Sequence, residues 1–352
     1  MTVELWNSVA SSVKHIAAAA QAAEEAGWYG ISVTDSQNLS VDCFAVLLLA
    51  ATATTRLRLC TGVNSPGIRH PAVAAGAIAT LQRVSQGRAT IGIGRGDSAH
   101  AHIGRAPARV VAFERYIKAV QDYLSGRDVA FNDLTFDERM AATLDTIELG
   151  DVPTESRLTW LRDDDIKVPL EVACSGPRVI AAAARHADRV MFALGSSPER
   201  IAWGMKIARQ ARRDAGLGED DIKFGAYINL ACHPDLNTAR KLVGNAIATY
   251  ARFSVMHGAT AAPTSDSQQR AVAELNRSFD MRDHHNADLL PAEFVDRFAV
   301  VGPPEVCIER LRAIEALGIS KITIVGARDY ESADAAQAEE AFARGVLPAF
   351  VG

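Results

Sequence analysis

The chain has 352 residues, 48% of them hydrophobic and 22% charged, with a formal net charge of −5. This composition supplies ample apolar surface for a packed core and excludes a disordered chain, and no Lys/Arg-rich block offers a footprint for nucleic acid. No run approaches the roughly 18 to 20 apolar residues of a membrane span. The opening MTVELWNSVASSVKH lacks the charged start and apolar stretch of a signal peptide, so a cytoplasmic protein with no membrane contact is expected. The cysteines, Cys43, Cys60, Cys174, Cys232 and Cys307, are odd in number and widely spaced with no CxxC pair, which points to buried thiols and to no metal.

Ala-rich helical segments alternate with short Val/Ile/Leu runs, the pattern of strands buried on both faces of a parallel sheet. A short first strand falls at TVELW, then a helix over 11–26 stops at Gly27, and the strand YGISVT (29–34) ends at Asp35. A helix near 42–54 leads to LRLCTG (57–62), and a helix near 71–84 leads to RATIGIG (88–94). A longer helix near 107–125 closes at Gly126, and the polar stretch 128–165 reads as an insertion carrying a hairpin. The alternation resumes with PLEVAC (169–174), a helix over 177–186, DRVMFALG (188–195), a helix near 198–215, KFGAYINLAC (223–232) and a helix near 235–257. Residues 258–290 mix small, polar and charged side chains and read as a second insertion, a lid over the mouth. A helix over 303–318 and the strand KITIVGA (321–327) bring the total to eight strands.

Such a chain either closes into a (β/α)8 barrel or opens into a doubly wound sheet, and alternation alone does not separate the two. GIGRGD (92–97) matches GxGxxG only in part: the third glycine is missing and the motif follows the fourth strand, which weakens the dinucleotide-fold reading. The expectation is an α/β fold, a single TIM-barrel domain over 1–352 with its two insertions at the C-terminal mouth.

In a barrel, the residues after each strand line the active site. Here they are Asp35, Ser36 and Gln37, then Thr61 to Ser65, then Gly94 to Ser98, then Ser175 and Gly176. SGP (175–177) combines a hydroxyl, a flexible glycine and a proline at a helix start; it suits a phosphate cradle or a plain strand-to-helix connector. In GRGD (94–97), Arg95 is suited to pair with a phosphate, or is a surface arginine beside a turn. Asp35 can orient a ligand or cap a turn. Among the histidines, His100, His102, His284 and His285 read as surface or capping residues, and His70 is the functional exception.

The run VTDSQ…TGVNSPGIRHPAVAAGAIATLQRVSQGRATIGIGRGDSA (33–99) closely resembles the bacterial-luciferase-like superfamily of flavin-dependent monooxygenases and deazaflavin (F420)-dependent reductases, nearest to the methylene-tetrahydromethanopterin reductase branch. The resemblance returns at VACSGPRVIAAAARHADRVMFALG (172–195) and VVGPPEVCIERLRAIEALGISKITI (300–324). It implies a barrel, in a homodimer, whose mouth holds F420 or FMN. It also implies a bulge at the third strand with a non-proline cis peptide in Thr61-Gly62-Val63-Asn64, placed by position at Gly62-Val63, against the cofactor ring. Gly94, Arg95, Gly96 and Asp97 match the motif whose arginine contacts the flavin phosphate, and Ser175 and Gly176 match a second phosphate contact. The sequence departs from the family pattern at Ser36, where histidine often follows the acidic residue, so that catalysis assisted from there is not supplied by an imidazole. Asp35, Ser36 and His70 stand as the candidate catalytic residues.

Two activities follow from the resemblance. One is F420-dependent hydride transfer to or from a small organic substrate. The other is a two-component monooxygenase fed with reduced FMN by a separate flavin reductase, with a closed site shielding the oxygenating flavin. A barrel that binds a flavin without turnover is the third reading, because a fold does not fix a function.

Overall fold

The computed structural model describes residues 2–10, 12–135, 137, 139–253, 263–279, 290–326 and 332–351. Its parallel strands are β1 (Glu4–Val9), β2 (Gly30–Val33), β3 (Arg58–Thr61), β4 (Ala89–Ile93), β5 (Leu170–Cys174), β6 (Arg189–Phe192), β7 (Lys223–Cys232) and β8 (Lys321–Val325). They pair in the order β7-β8-β1-β2-β3-β4-β5-β6, and β6 pairs with β7 to close the ring. The expected (β/α)8 barrel is therefore the fold.

Local chemistry explains the punctuation. Helices Pro71–Val84, Pro177–His186, Pro198–Asp214 and Pro304–Glu315 each open on proline, whose missing N–H is not needed in a first turn. Helix Ile16–Ala26 ends at Gly27, whose left-handed backbone (φ 93°) sends its N–H back to the last turn. The Glu24 carboxylate near that end accepts from the N–H groups of Thr55, Arg56 and Leu57 at 3.1, 2.6 and 2.7 Å, tying the helix to the start of β3.

Several elements differ from expectation. The three-residue strand Val300–Gly302 pairs with Leu230–Cys232, the overhanging end of β7; three residues ahead of Pro303 and Pro304 carry too little pattern to be read. The first insertion holds an antiparallel pair, Val129–Ala130 with Ser156 and Glu155, as the hairpin reading required, but its arms are two residues long. The helix expected over 235–257 is Leu236–Phe253 among the described residues. Within the second insertion lies the helix Asp266–Ser278, opened by a capping box of Ser265 and Gln268 that the search for apolar periodicity passed over. Residues 254–262 and 280–289, including His284 and His285, lie outside the described residues. A further helix, Ala333–Gly345, follows β8, and its Phe342 stacks on Trp28 at 5.1 Å.

The end of the barrel away from the mouth is closed by charge. Lys321 Nζ contacts both Glu171 carboxylate oxygens at 2.9 and 2.8 Å, and the two residues are 0% and 1% exposed. Strands β8 and β5 are not neighbours, so this pair crosses the interior. Arg189 reaches Glu4 at 3.2 Å, the Cys60 thiol donates to Glu171 at 3.1 Å, and the Lys321 ammonium sits 3.5 Å from the centroid of the Trp6 ring. All five cysteines are free and buried, and burial raises the thiols of Cys43, Cys60 and Cys174 well above their ordinary range. No described helix is long and apolar enough to cross a membrane.

Candidate active site

The C-terminal mouth is built around the end of β3. There the ladder breaks: Gly62 N–H donates to Val33 O at 2.7 Å, the Gly62-Val63 peptide is cis, and Asn64 rejoins β4 opposite Ile93. The bulge and cis bond fall where the resemblance put them. Thr61 bridges the gap, its Oγ1 accepting from Gly92 N–H at 2.9 Å and donating to Gly92 O at 3.2 Å. Such an approach requires glycine opposite, since a Cβ on Gly92 would lie 2.3 Å from Thr61 O. Val63 then packs against the interior group of Met191, Ala193, Tyr227 and Val325, with Ala173 beside it.

Behind the bulge stands a buried anchor. Asp35, 4% exposed, accepts from Gln37 Nε2 at 3.0 Å, from Arg69 Nη1 at 2.6 Å and from Asn64 Nδ2. Arg69 also meets Asp42 at 2.6 Å and lies over the Phe44 ring at 5.0 Å. Burial works against its charge, but the carboxylates of Asp35 and Asp42 outweigh it and raise the guanidinium above its ordinary value. Asp35 is thus fully engaged in fixing Asn64 and the loop that follows. Ser36 lies in a turn closed by Ser40, whose hydroxyl accepts Ser36 N–H at 3.0 Å and donates to Ser36 O at 2.9 Å. His70 caps helix Pro71–Val84, its Nδ1 accepting from Ala72 N–H at 3.2 Å, and burial lowers its pKa, so it is held neutral. Of the other histidines, His100 is buried with Nδ1 3.1 Å from Ala106 O, and the His102 carbonyl accepts from Asn38.

The other residues singled out meet at a cationic corner after β4 and β5. Gly94 is in contact range of Val63 and Ala173, which joins this corner to the bulge. Arg95 donates Nε–H to Ala108 O at 2.7 Å, and its terminal nitrogens have no carboxylate partner among the described residues. Burial, and after it the like charge of Arg178, lower its pKa from the usual arginine range. Gly96 turns the chain with φ 81°. Asp97 is taken by Arg252, and burial lifts its carboxyl despite that partner. Ser175 Oγ donates to Phe253 O at 3.0 Å and keeps lone pairs for another donor. Gly176 caps helix Pro177–His186, and a Cβ there would meet nothing within 4 Å among the described residues.

Sequence reasoning missed Arg69, Arg178, Tyr227, Asn229 and Arg252. Arg69 and Arg178 sat beside residues already chosen. The inward placement of Tyr227 and Asn229 was available from the period-2 pattern of KFGAYINLAC.

The barrel, the interrupted end of β3 and the cationic corner beside it are the frame on which the family likeness rests. The chain belongs to the luciferase-like monooxygenase family, whose model matches residues 2–321. It is 23% identical over 315 residues to a 5,10-methylenetetrahydromethanopterin reductase of Methanolobus tindarius, covering 88% of this chain and 89% of the relative. Among solved structures it resembles the coenzyme F420-dependent tetrahydromethanopterin reductase of Methanopyrus kandleri (TM-score 0.75, 19% identity, 99% and 100% of the two chains). It also resembles the monooxygenase RslO1 of Streptomyces bottropensis (TM-score 0.62, 23% identity, 96% and 93%).

Proposed function

We propose that this protein is an oxidoreductase that binds a deazaflavin of the F420 type at the barrel mouth and transfers hydride to or from a small organic substrate. The observation that carries the reading is the corner of Arg95, Ser175, Gly176 and Arg178: neither arginine has a carboxylate within ion-pair distance among the described residues, and both stand close to the N-terminus of helix Pro177–His186. A phosphate or phosphodiester fits that donor set through charge-assisted hydrogen bonds. The reductases among its relatives support the hydride reading.

Bound there, the cofactor would supply the hydride donor or acceptor, and the protein supplies position. Thr61 and the Asp35–Asn64–Arg69 anchor hold the bulge rigid against the ring, while Val63 and Ala173 give it an apolar face. Tyr250 and Phe253, 5.3 Å apart, cover the β7 and β8 side and limit water there. Homodimer formation is part of the proposal. Helix Cys43–Ala53 (CFAVLLLAATA) carries no charge, and its Leu48 and Leu49 lie exposed, apolar side chains suited to contact with a second copy.

The test is fluorescence titration of the purified protein with F420 and with FMN in parallel. Tight binding of F420 alone is expected, and Arg95→Ala should weaken it about tenfold or more. Preferential binding of reduced FMN would convert the reading into the monooxygenase with a partner reductase, which the likeness to RslO1 favours; binding of neither would overturn both.

A further inference from the structure

The barrel interior holds a second polar group that no role above uses. Asn229 is 0% exposed, yet neither Oδ1 nor Nδ2 has a hydrogen-bond partner among the described residues, and the same is true of Thr323 Oγ1 and Tyr227 OH. The parallel register sets Gly225 beside Lys321, Tyr227 beside Thr323 and Asn229 beside Val325. Alternate residues share a face, and Lys321 reaches Glu171 through the lumen, so Tyr227 and Thr323 face the lumen at one level and Asn229 faces it one step nearer the mouth. Below them Lys321 and Arg189 are paired with carboxylates, with Arg189 Nε alone left over; here four polar atoms have no partner among the described residues. Buried amides and hydroxyls are almost always paired, and leaving them unpaired disfavours the folded chain. Around them stand Val325, Ala173, Ala193 and Val63. Apolar side chains flanking neutral donors and acceptors suit the edge of a flat heterocycle.

We infer that Asn229, with Thr323 and Tyr227, is the deep end of the ring site and reads the imide edge of the cofactor's pyrimidinedione. The inference rests on the proposed function but not on the choice of cofactor, because F420 and FMN share that edge. A lone carbonyl would satisfy only the amide N–H. An imide presents N–H and C=O side by side, matching Asn Oδ1 and Nδ2, and its second carbonyl accepts from a hydroxyl. The ring then enters with its heterocyclic end inward and its phosphate-bearing tail toward Arg95 and Gly176.

Three measurements test this on the full-length protein: melting temperature without cofactor, affinity for FMN and F420, and affinity for riboflavin against N3-methylriboflavin. Asn229→Leu should raise the melting temperature by a few degrees while weakening both cofactors about tenfold or more. Thr323→Val should act in the same direction. The wild type should disfavour the N3-methyl analogue by a similar factor, and Asn229→Leu should lose that discrimination. If the wild type binds cofactor and Asn229→Leu binds it equally well, or if the N3-methyl analogue binds the wild type undiminished, the inference fails and the proposed function stands. If the wild type binds neither cofactor, both fail.

Discussion

Lys321 is the most deeply buried cation in the barrel strands, and it pairs with Glu171 at 2.8 Å. Removing Lys321 leaves Glu171 in the interior with only Arg189, at 3.8 Å, as counter-ion, whereas removing both partners leaves Arg189 to its nearer partner Glu4. Lys321→Met should therefore cost about 3 to 5 kcal/mol, read from urea denaturation, and the double variant Lys321→Met/Glu171→Met should recover most of the loss. A double variant no more stable than the single one would show that the pair acts through something other than its charges. Glu171 and Lys321 were visible in PLEVAC and KITIVGA as charges inside otherwise apolar runs. Their meeting was not, because a pair 150 positions apart exists only once the ring closes. The same reason hid the bond from Arg69 to Asp35. Asp35 stood out at a strand end, but its environment makes it an anchor of the bulge.

At the scale of elements, Glu24 shows how a helix end is fastened to a strand start. Burial disfavours its ionised form, but the N–H groups of Arg56, Leu57 and Thr55 more than offset this and lower its pKa from the ordinary 4.5. A carboxyl whose folded value is depressed stabilises the fold above its unfolded value and loses that contribution as pH falls through the folded one. Glu24→Gln should cost about 1 kcal/mol near neutral pH, screened in part by solvent, and the gap should close in acid below the usual carboxylate range. Thermal melts of both proteins across that range measure it; a gap independent of pH would mean the carboxylate charge is irrelevant. The eight barrel strands were legible because strands buried on both faces write continuous apolar runs; four helix starts carry proline, and Gly27 marks the end of the first helix. The strand Val300–Gly302 and the helix Asp266–Ser278 were not, since the first is too short for a period and the second is marked by its cap instead of an apolar stripe.

For the whole molecule, the proposed dimer is tested on the exposed side of helix Cys43–Ala53. Leu49→Asp places a charge among exposed apolar side chains and should shift the protein to monomer in sedimentation at unchanged helical content; a wild type that already sediments as monomer would refute the dimer. The basal ion pair sets a further relation between folding and change. Because Glu171 and Lys321 hold opposite walls together at the end away from the mouth, the ring is secured without help from the loops above it. Exchanging the loops at the mouth is accordingly expected to leave this foundation in place.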